Sequence, residues 1–229
     1  MTQRRFDLVI FDCDGVLIDS EAISARMLIA ELAARGVGID LAYVAQHFLG
    51  RSYPVVLAQI RKDFRIDLPP EFEEGYRARL LDAFERELQI MPGVPEMLDA
   101  LRVPYCLATS SSPARVARSL EIVGLARSFA GRITTAAEVA QGKPAPDLFL
   151  LASRRMGIAP GRTLVIEDSL NGVQAALAAG MTVWRFVGGS HLGPETPPEP
   201  PTARPEARFG SFADLPVRLP ELVRSEPVA

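Results

Sequence analysis

Cysteine and histidine are scarce in this 229-residue sequence: Cys13 and Cys106 are the only cysteines, and His47 and His191 the only histidines. Two cysteines cannot build a disulfide framework, nor by themselves a four-ligand zinc site. No apolar run approaches the roughly 20 residues that a membrane-spanning helix requires. The opening Met1-Thr2-Gln3-Arg4-Arg5 meets Asp7 after one apolar residue, which does not read as a secretory signal. An excess of one charge is lacking too. With 25 basic and 28 acidic residues the net charge is −3, and the pI is near 5.5. No basic field invites nucleic acid or an anionic membrane surface. The 17 glycines and 19 prolines are too few for a collagen-like or wholly disordered chain. What is present, 48% apolar and 23% charged residues, is the balance of a globular protein. The expectation is a soluble cytoplasmic protein, monomer or weak dimer, with one large domain or two small ones.

Phe6 to Phe11 is a short apolar run ending at the acidic Asp12-Cys13-Asp14-Gly15. Its length and lack of helical spacing predict a buried strand. Val103 to Ala108, Thr163 to Ile166 and Met181 to Phe186 read alike. Between them lie helical patterns at 113–123, 146–156 and 170–179, each stopped by a glycine. Strands alternating with helices predict an α/β fold, a Rossmann-like parallel sheet with helices on both faces. The stretch from Ser20 to Leu88 breaks the rhythm with four helical patterns and no strand. The expected organisation is a core of residues 1–17 and 90–229 with an all-helical insert, residues 18–89. Gly193 to Pro205 carries six prolines and reads as an extended surface loop, with a partner's aromatic groove as the lesser alternative.

In an open parallel sheet, ligands bind at the carboxyl ends of the strands. Asp12 and Asp14 sit at the first of these ends, Glu167 and Asp168 at another, and Thr109-Ser110 at a third. Lys143 lies in the proline-stiffened GKPAPD just before a helix. Any one of these elements is an ordinary turn or a solvated lysine; the ordered set is hard to obtain by chance. Four crowded carboxylates cannot all ionise without a cation. An all-oxygen site suits Mg²⁺ rather than zinc or copper. A lysine beside it balances a second anion, worth roughly 4 kcal/mol at 4 Å before desolvation for an effective dielectric of about 20. The constellation asks for Mg²⁺ and a phosphate.

With these residues in view, the sequence resembles the haloacid dehalogenase superfamily over nearly its whole length. FDCDGVLIDSE matches the first motif, LATS the second, GKPAPD the third and VIEDSLNGVQAALAAGM the fourth. The helical insert matches the family's small helical cap. The resemblance implies a Mg²⁺-dependent phosphatase of small phosphate esters. Asp12 would be the nucleophile and Asp14 the general acid and then base. Asp12, the Asp14 backbone carbonyl and Asp168 would hold Mg²⁺, with Glu167 close or acting through water. Thr109, Ser110 and Lys143 would bind the phosphoryl group, and the Gly50-Arg51-Ser52-Tyr53 segment would select the leaving group. FDCDGVLIDSE and ELAARG are similar to the 6-phosphogluconate phosphatase branch, which points to sugar or sugar-acid phosphates.

Three alternatives stand beside this reading. β-Phosphoglucomutases carry a His in the first cap helix, where this sequence has Ser24, with Ser20 at their Thr position. That difference favours a phosphatase over a mutase. A non-catalytic binding module would be expected to lack the nucleophile or the lysine, and both are present. The dehalogenases lack the second acid, so Asp14 argues against their chemistry. Arg51 is either a substrate contact or a solvated helix-cap arginine. Cys13, between two acids, reads as a quiet structural thiol. Cys106, Trp184 and Phe186 read as packing residues, and His191 as a loop residue, with approach to the site mouth as its alternative.

Overall fold

The computed structural model describes residues 4–192 and 199–223. Six parallel strands form one sheet: β1 (Leu8–Phe11), β2 (Tyr105–Thr109), β3 (Ile133–Thr135), β4 (Thr163–Glu167), β5 (Thr182–Phe186) and β6 (Ala207–Phe209), in the order β3-β2-β1-β4-β5-β6. The strand order reverses direction at β1, the place where such sheets open a crevice at their carboxyl ends. β1 lies between β2 and β4, with Ile10 opposite Cys106 and Val165. Consecutive side chains of β1 point to opposite faces. Leu8 and Ile10 join an apolar cluster with Phe149, Val173 and Ala176, whereas Val9 and Phe11 join one with Leu164, Ile166 and Phe186. Burial on both faces is why these runs are continuously apolar rather than alternating.

Five helices separate β1 from β2, and the first four make up the insert: α1 (Glu21–Ala33), α2 (Leu41–His47), α3 (Tyr53–Phe64) and α4 (Pro70–Glu87). Asp40 caps α2 by accepting the Tyr43 N–H at 2.8 Å. Pro54 and Pro70 open α3 and α4, where a missing N–H costs nothing. The insert's apolar residues, among them Leu57, Phe72 and Phe84, are continuous with the cluster on one sheet face. The chain enters and leaves the insert through two adjacent segments, joined by Met91 N–H to Leu17 O and Asp19 N–H to Gln89 O. The remaining helices are α5 (Val94–Ala100), α6 (Pro113–Ile122), α7 (Asp147–Met156), α8 (Leu170–Ala178) and α9 (Leu215–Arg218).

Two three-residue strands, β3 and β6, and the seven-residue α5 were not read from the sequence; each is too short to show a period. Of the proline-rich stretch, residues 193–198 lie outside the described residues. The rest departs from an extended spacer: Pro201–Ala203 is a 3-10 turn and Ala203 is buried against the helical face of the sheet. Among the described residues, no helix is long and apolar enough to cross a membrane.

Phe149 of α7 is fully buried between the sheet and the site lysine. Phe149→Ala is expected to cost about 3–5 kcal/mol, as cavity-forming aromatic truncations do. Urea unfolding of the two proteins measures it.

Candidate active site

The carboxyl ends of β1, β2 and β4 bring the predicted residues together. Asp12 follows β1 directly and its N–H bonds Ile166 O of β4 at 2.9 Å, which locks the two strand ends in register. Lys143, on the loop before α7, places Nζ 2.6 Å from Asp12 Oδ1 and 2.6 Å from Glu167 Oε1. Its side chain is 0% exposed, so a charge taken wholly out of water is bonded to two carboxylates. Burial alone would lower the lysine's proton affinity, but Asp12 and Glu167 outweigh it and keep the ammonium charged. The second oxygen of Glu167 accepts the N–H and hydroxyl of Ser169 at 2.6 and 3.0 Å. With both oxygens engaged, Glu167 also braces the site.

Asp12, Glu167 and Asp168 each offer an oxygen within 4.8 Å of the others. Burial first, and then the neighbouring carboxylates, push the Asp12 and Asp168 carboxyls well above their ordinary values, against the pull of Lys143. Three acids set against one lysine lack a positive charge. A hard divalent cation matches both this charge and the all-oxygen donor set. Gly15 adopts φ +77°, and a Cβ there would stand 2.4 Å from Asp168 Oδ2, so only glycine lets the two turns approach this closely.

His191 corrects the reading of it as a plain loop residue. Its Nε2 lies 2.8 Å from Asp168 Oδ2, and burial lowers its proton affinity. Sequence distance hid this contact. Arg185 of β5, also unread, donates from Nε to the Asp168 carbonyl at 2.7 Å and from Nη1 to Glu199 at 2.9 Å, so it holds the turn that presents Asp168.

Asp14 is held on three sides. Ser20 and Ser111 donate their hydroxyls to its two oxygens at 2.5 and 2.6 Å, and Arg115 Nη2 donates at 2.7 Å. Burial alone would raise this carboxyl; Arg115 and the hydroxyl bonds outweigh it and hold it below the usual carboxylate range. Ser24 accepts from the same Nη2 at 3.1 Å and donates to Ser20 O at 2.8 Å. Arg115 was missed, although its signal was present. Ser112 caps α6 and Pro113 begins it, so Arg115 lies in the first turn, where side chains lean back toward the strand end.

The insert reaches the same mouth. Thr109 ends β2, buried, with its hydroxyl accepting the Ser111 N–H at 3.0 Å. Ser110 donates to Gly50 O at 2.9 Å, and Asn171 donates to Leu49 O at 2.8 Å. Gly50 has φ +72°, and a Cβ there would fall 2.1 Å from Ser169 Oγ, so this loop sits directly on the core. A cavity of about 70 Å³ lies between loop and strand ends, lined by Asp12, Asp14, Thr109, Ser110, Gly50 and Arg51 among others. Arg51 is therefore not a solvated cap: it is half-buried and its Nε has no partner. Ser52 is not on this cavity; it lines a second one of about 400 Å³ farther out.

The sequence model of the haloacid dehalogenase-like hydrolases matches residues 6–180. The chain belongs to that family. It is 27% identical to 6-phosphogluconate phosphatase of Escherichia coli (strain K12) over 85% of this chain and 89% of that one. To a probable pseudouridine-5'-phosphatase of Drosophila melanogaster it is 34% identical, over 79% and 81%. Its fold is similar to a haloacid dehalogenase family hydrolase of Deinococcus radiodurans R1 solved with bound phosphate and sodium, with a TM-score of 0.71 and 34% identity over 96% and 97% of the two chains. The family places its members among hydrolases, and the buried Asp12–Lys143 pair lies at the sheet's carboxyl edge, where open parallel sheets bind their ligands.

Glu21, also on the inner cavity, is pushed up to about 8 by burial and then by Asp14. The fold therefore keeps its proton while an unfolded Glu, with a pKa of about 4.3, gives it up. This contribution lowers stability progressively from about pH 4.3 to about pH 8. Glu21→Gln, in chelator-treated protein, is expected to melt like the parent near pH 4.3 and higher by pH 8. About 1 kcal/mol corresponds to about 2–4 °C in Tm for a chain of this size; thermal unfolding across that pH range checks it.

Proposed function

We propose that this hydrolase is a Mg²⁺-dependent phosphatase of small phosphate monoesters, acting on sugar or sugar-acid phosphates such as 6-phosphogluconate. The observation that carries the reading is the fully buried Lys143 bonded to Asp12 on the floor of a cavity whose walls include Thr109 and Ser110. A carboxylate beside an ammonium, with hydroxyls and backbone donors around it, suits a phosphoryl group under attack. Asp12 attacks phosphorus, the ester P–O bond breaks, and the leaving oxygen takes a proton from Asp14. Water then attacks the aspartyl phosphate, Asp14 takes the water's proton, and the Asp12–phosphorus bond breaks to release phosphate. Mg²⁺, when bound by Asp12, the Asp14 carbonyl and Asp168, supplies charge neutralisation for the phosphoryl oxygens.

Arg115 holds Asp14 in the charged form that serves as base. A phosphoryl dianion brought beside it raises its proton affinity, as any like charge does, and so supports the acid role in the first half. Residues 18–89 act in this reading as a cap, swinging about the paired segments 17–19 and 89–91 to admit substrate and release product. The mutase alternative needs a base on the first cap helix. Ser24 stands there instead, engaged with Arg115. With water as the acceptor, the phosphoryl group leaves as inorganic phosphate.

Phosphate release from a panel of sugar phosphates, with and without Mg²⁺, tests the proposal. Release is expected only with Mg²⁺, and Asp12→Asn is expected to lower it by about 10³-fold or more while the melting curve stays cooperative, since removing a covalent nucleophile removes the pathway itself. Metal-independent release, or full activity in Asp12→Asn, would overturn it.

A further inference from the structure

Among the described residues, five buried polar side-chain atoms lack a hydrogen-bond partner, and three of them are Arg51 Nε, Tyr53 Oη and Arg115 Nε. The same three residues line both the inner cavity of about 70 Å³ and the outer cavity of about 400 Å³. With Tyr76, Ser110 and Ser111 they make the seam of walls that the two cavities share. All three atoms belong to hydrogen-bond donors, and burying a donor without an acceptor is costly. The outer cavity adds Arg77, itself paired with Glu73, and has no carboxylate among its lining residues. Pro54, Leu80, Leu81 and Ala114 give it an apolar wall, and Ser52, Ser110, Ser111 and Ser112 add hydroxyls.

Size decides what goes where. At about 10–15 Å³ per water, the inner cavity takes roughly five to seven waters, space for a phosphoryl group and little else. The remainder of an ester has to pass the seam into the outer cavity. Asp14 and Ser24 engage only the Nη2 corner of Arg115, which leaves Nε for a ligand.

Resting on the phosphatase reading, we propose that Arg115 is a specificity-determining residue: with Arg51 and Tyr53 it takes a second anionic group, a carboxylate or a second phosphate, carried by the leaving group. The planar guanidinium can hold Asp14 with one nitrogen and the ligand anion with another. A lysine carries its donors on one compact ammonium and cannot reach the two separate positions that Nη2 and Nε serve here.

The test compares kcat/KM for 6-phosphogluconate, fructose 1,6-bisphosphate and sorbitol 6-phosphate in the parent and in Arg115→Lys. The parent is expected to favour at least one anionic-tailed ester over the neutral-tailed one by about tenfold or more, carried by KM, since a hydrogen bond to a charged group is worth at least that factor. Which of the two is favoured tells carboxylate from second phosphate. In Arg115→Lys that preference is expected to collapse to about threefold or less. Equal use of neutral and anionic tails by the parent overturns the proposal without any variant. An equal fall for all esters in Arg115→Lys also overturns it, because that pattern belongs to Asp14 positioning alone. Release from no ester would sink the phosphatase reading instead. The anion site would then be judged by calorimetry, where tighter binding of an anionic-tailed ester than of sorbitol 6-phosphate, lost in Arg115→Lys, sustains it and equal binding overturns it.

Discussion

The active-site half of this molecule is organised by one buried ammonium. Lys143 is removed from water and survives as a charge because Asp12 and Glu167 each lie 2.6 Å from its Nζ. Every neighbouring feature bears on that arrangement. Glu167 is fixed by Ser169, Asp12 by the backbone of β4, and the lysine's loop by α7, whose Phe149 ring centroid lies 5.0 Å below the ammonium. Lys143 still leaves the cluster short of positive charge, since Asp168 stands against the same two acids. Burial first, and then that shortage, raises the Asp12 and Asp168 carboxyls, and a divalent cation would relieve the second cause.

The strand order explains why such a cluster assembles at all. β1 leads directly into Asp12 and Asp14, and its neighbours on either side are β2, which ends in Thr109, and β4, which ends in Glu167 with Asp168 next. No two of these three segments are adjacent in sequence. The sheet alone brings them to one edge, and the rigidity of strands buried on both faces sets their spacing to within a hydrogen bond. The helical insert interrupts the chain between the first pair, so its loop at Gly50 returns to the same edge and closes on Ser110 and Asn171. The acidic cluster and the insert loop that meets it are thus consequences of one topology.

That topology was largely legible in the sequence, because three of four short apolar runs end in polar motifs and a strand-free stretch follows the first of them. The four insert helices fall within a few residues of their periodic patterns. β3, β6 and α5 escaped because three to seven residues carry no measurable period. At the site, the residues carried by strand ends were readable as motifs, whereas His191 and Arg185 were not. Their contacts with Asp168 depend on packing across the edge of β5, and nothing local marks them. Arg115 is the intermediate case. Its place one turn into a capped helix determined where it leans, yet its partner, Asp14, lies 101 residues earlier.

Arg115 also shows how one side chain ties recognition to chemistry. A carboxyl meant to give up a proton and then retrieve one is best served by a proton affinity that changes during the cycle. Arg115, Ser20 and Ser111 together set the low end of that range in the ligand-free cavity. A phosphoryl dianion raises it, and a second anion on the leaving group, drawn to the same guanidinium, weakens the grip of Arg115 on Asp14. Both effects act in the direction of the acid. In the proposed cycle, once the leaving group has departed with its anion, the guanidinium returns fully to Asp14, which then serves as the base for the attacking water. The ion pair that restrains Asp14 before substrate arrives is in this account the same contact that times its two roles.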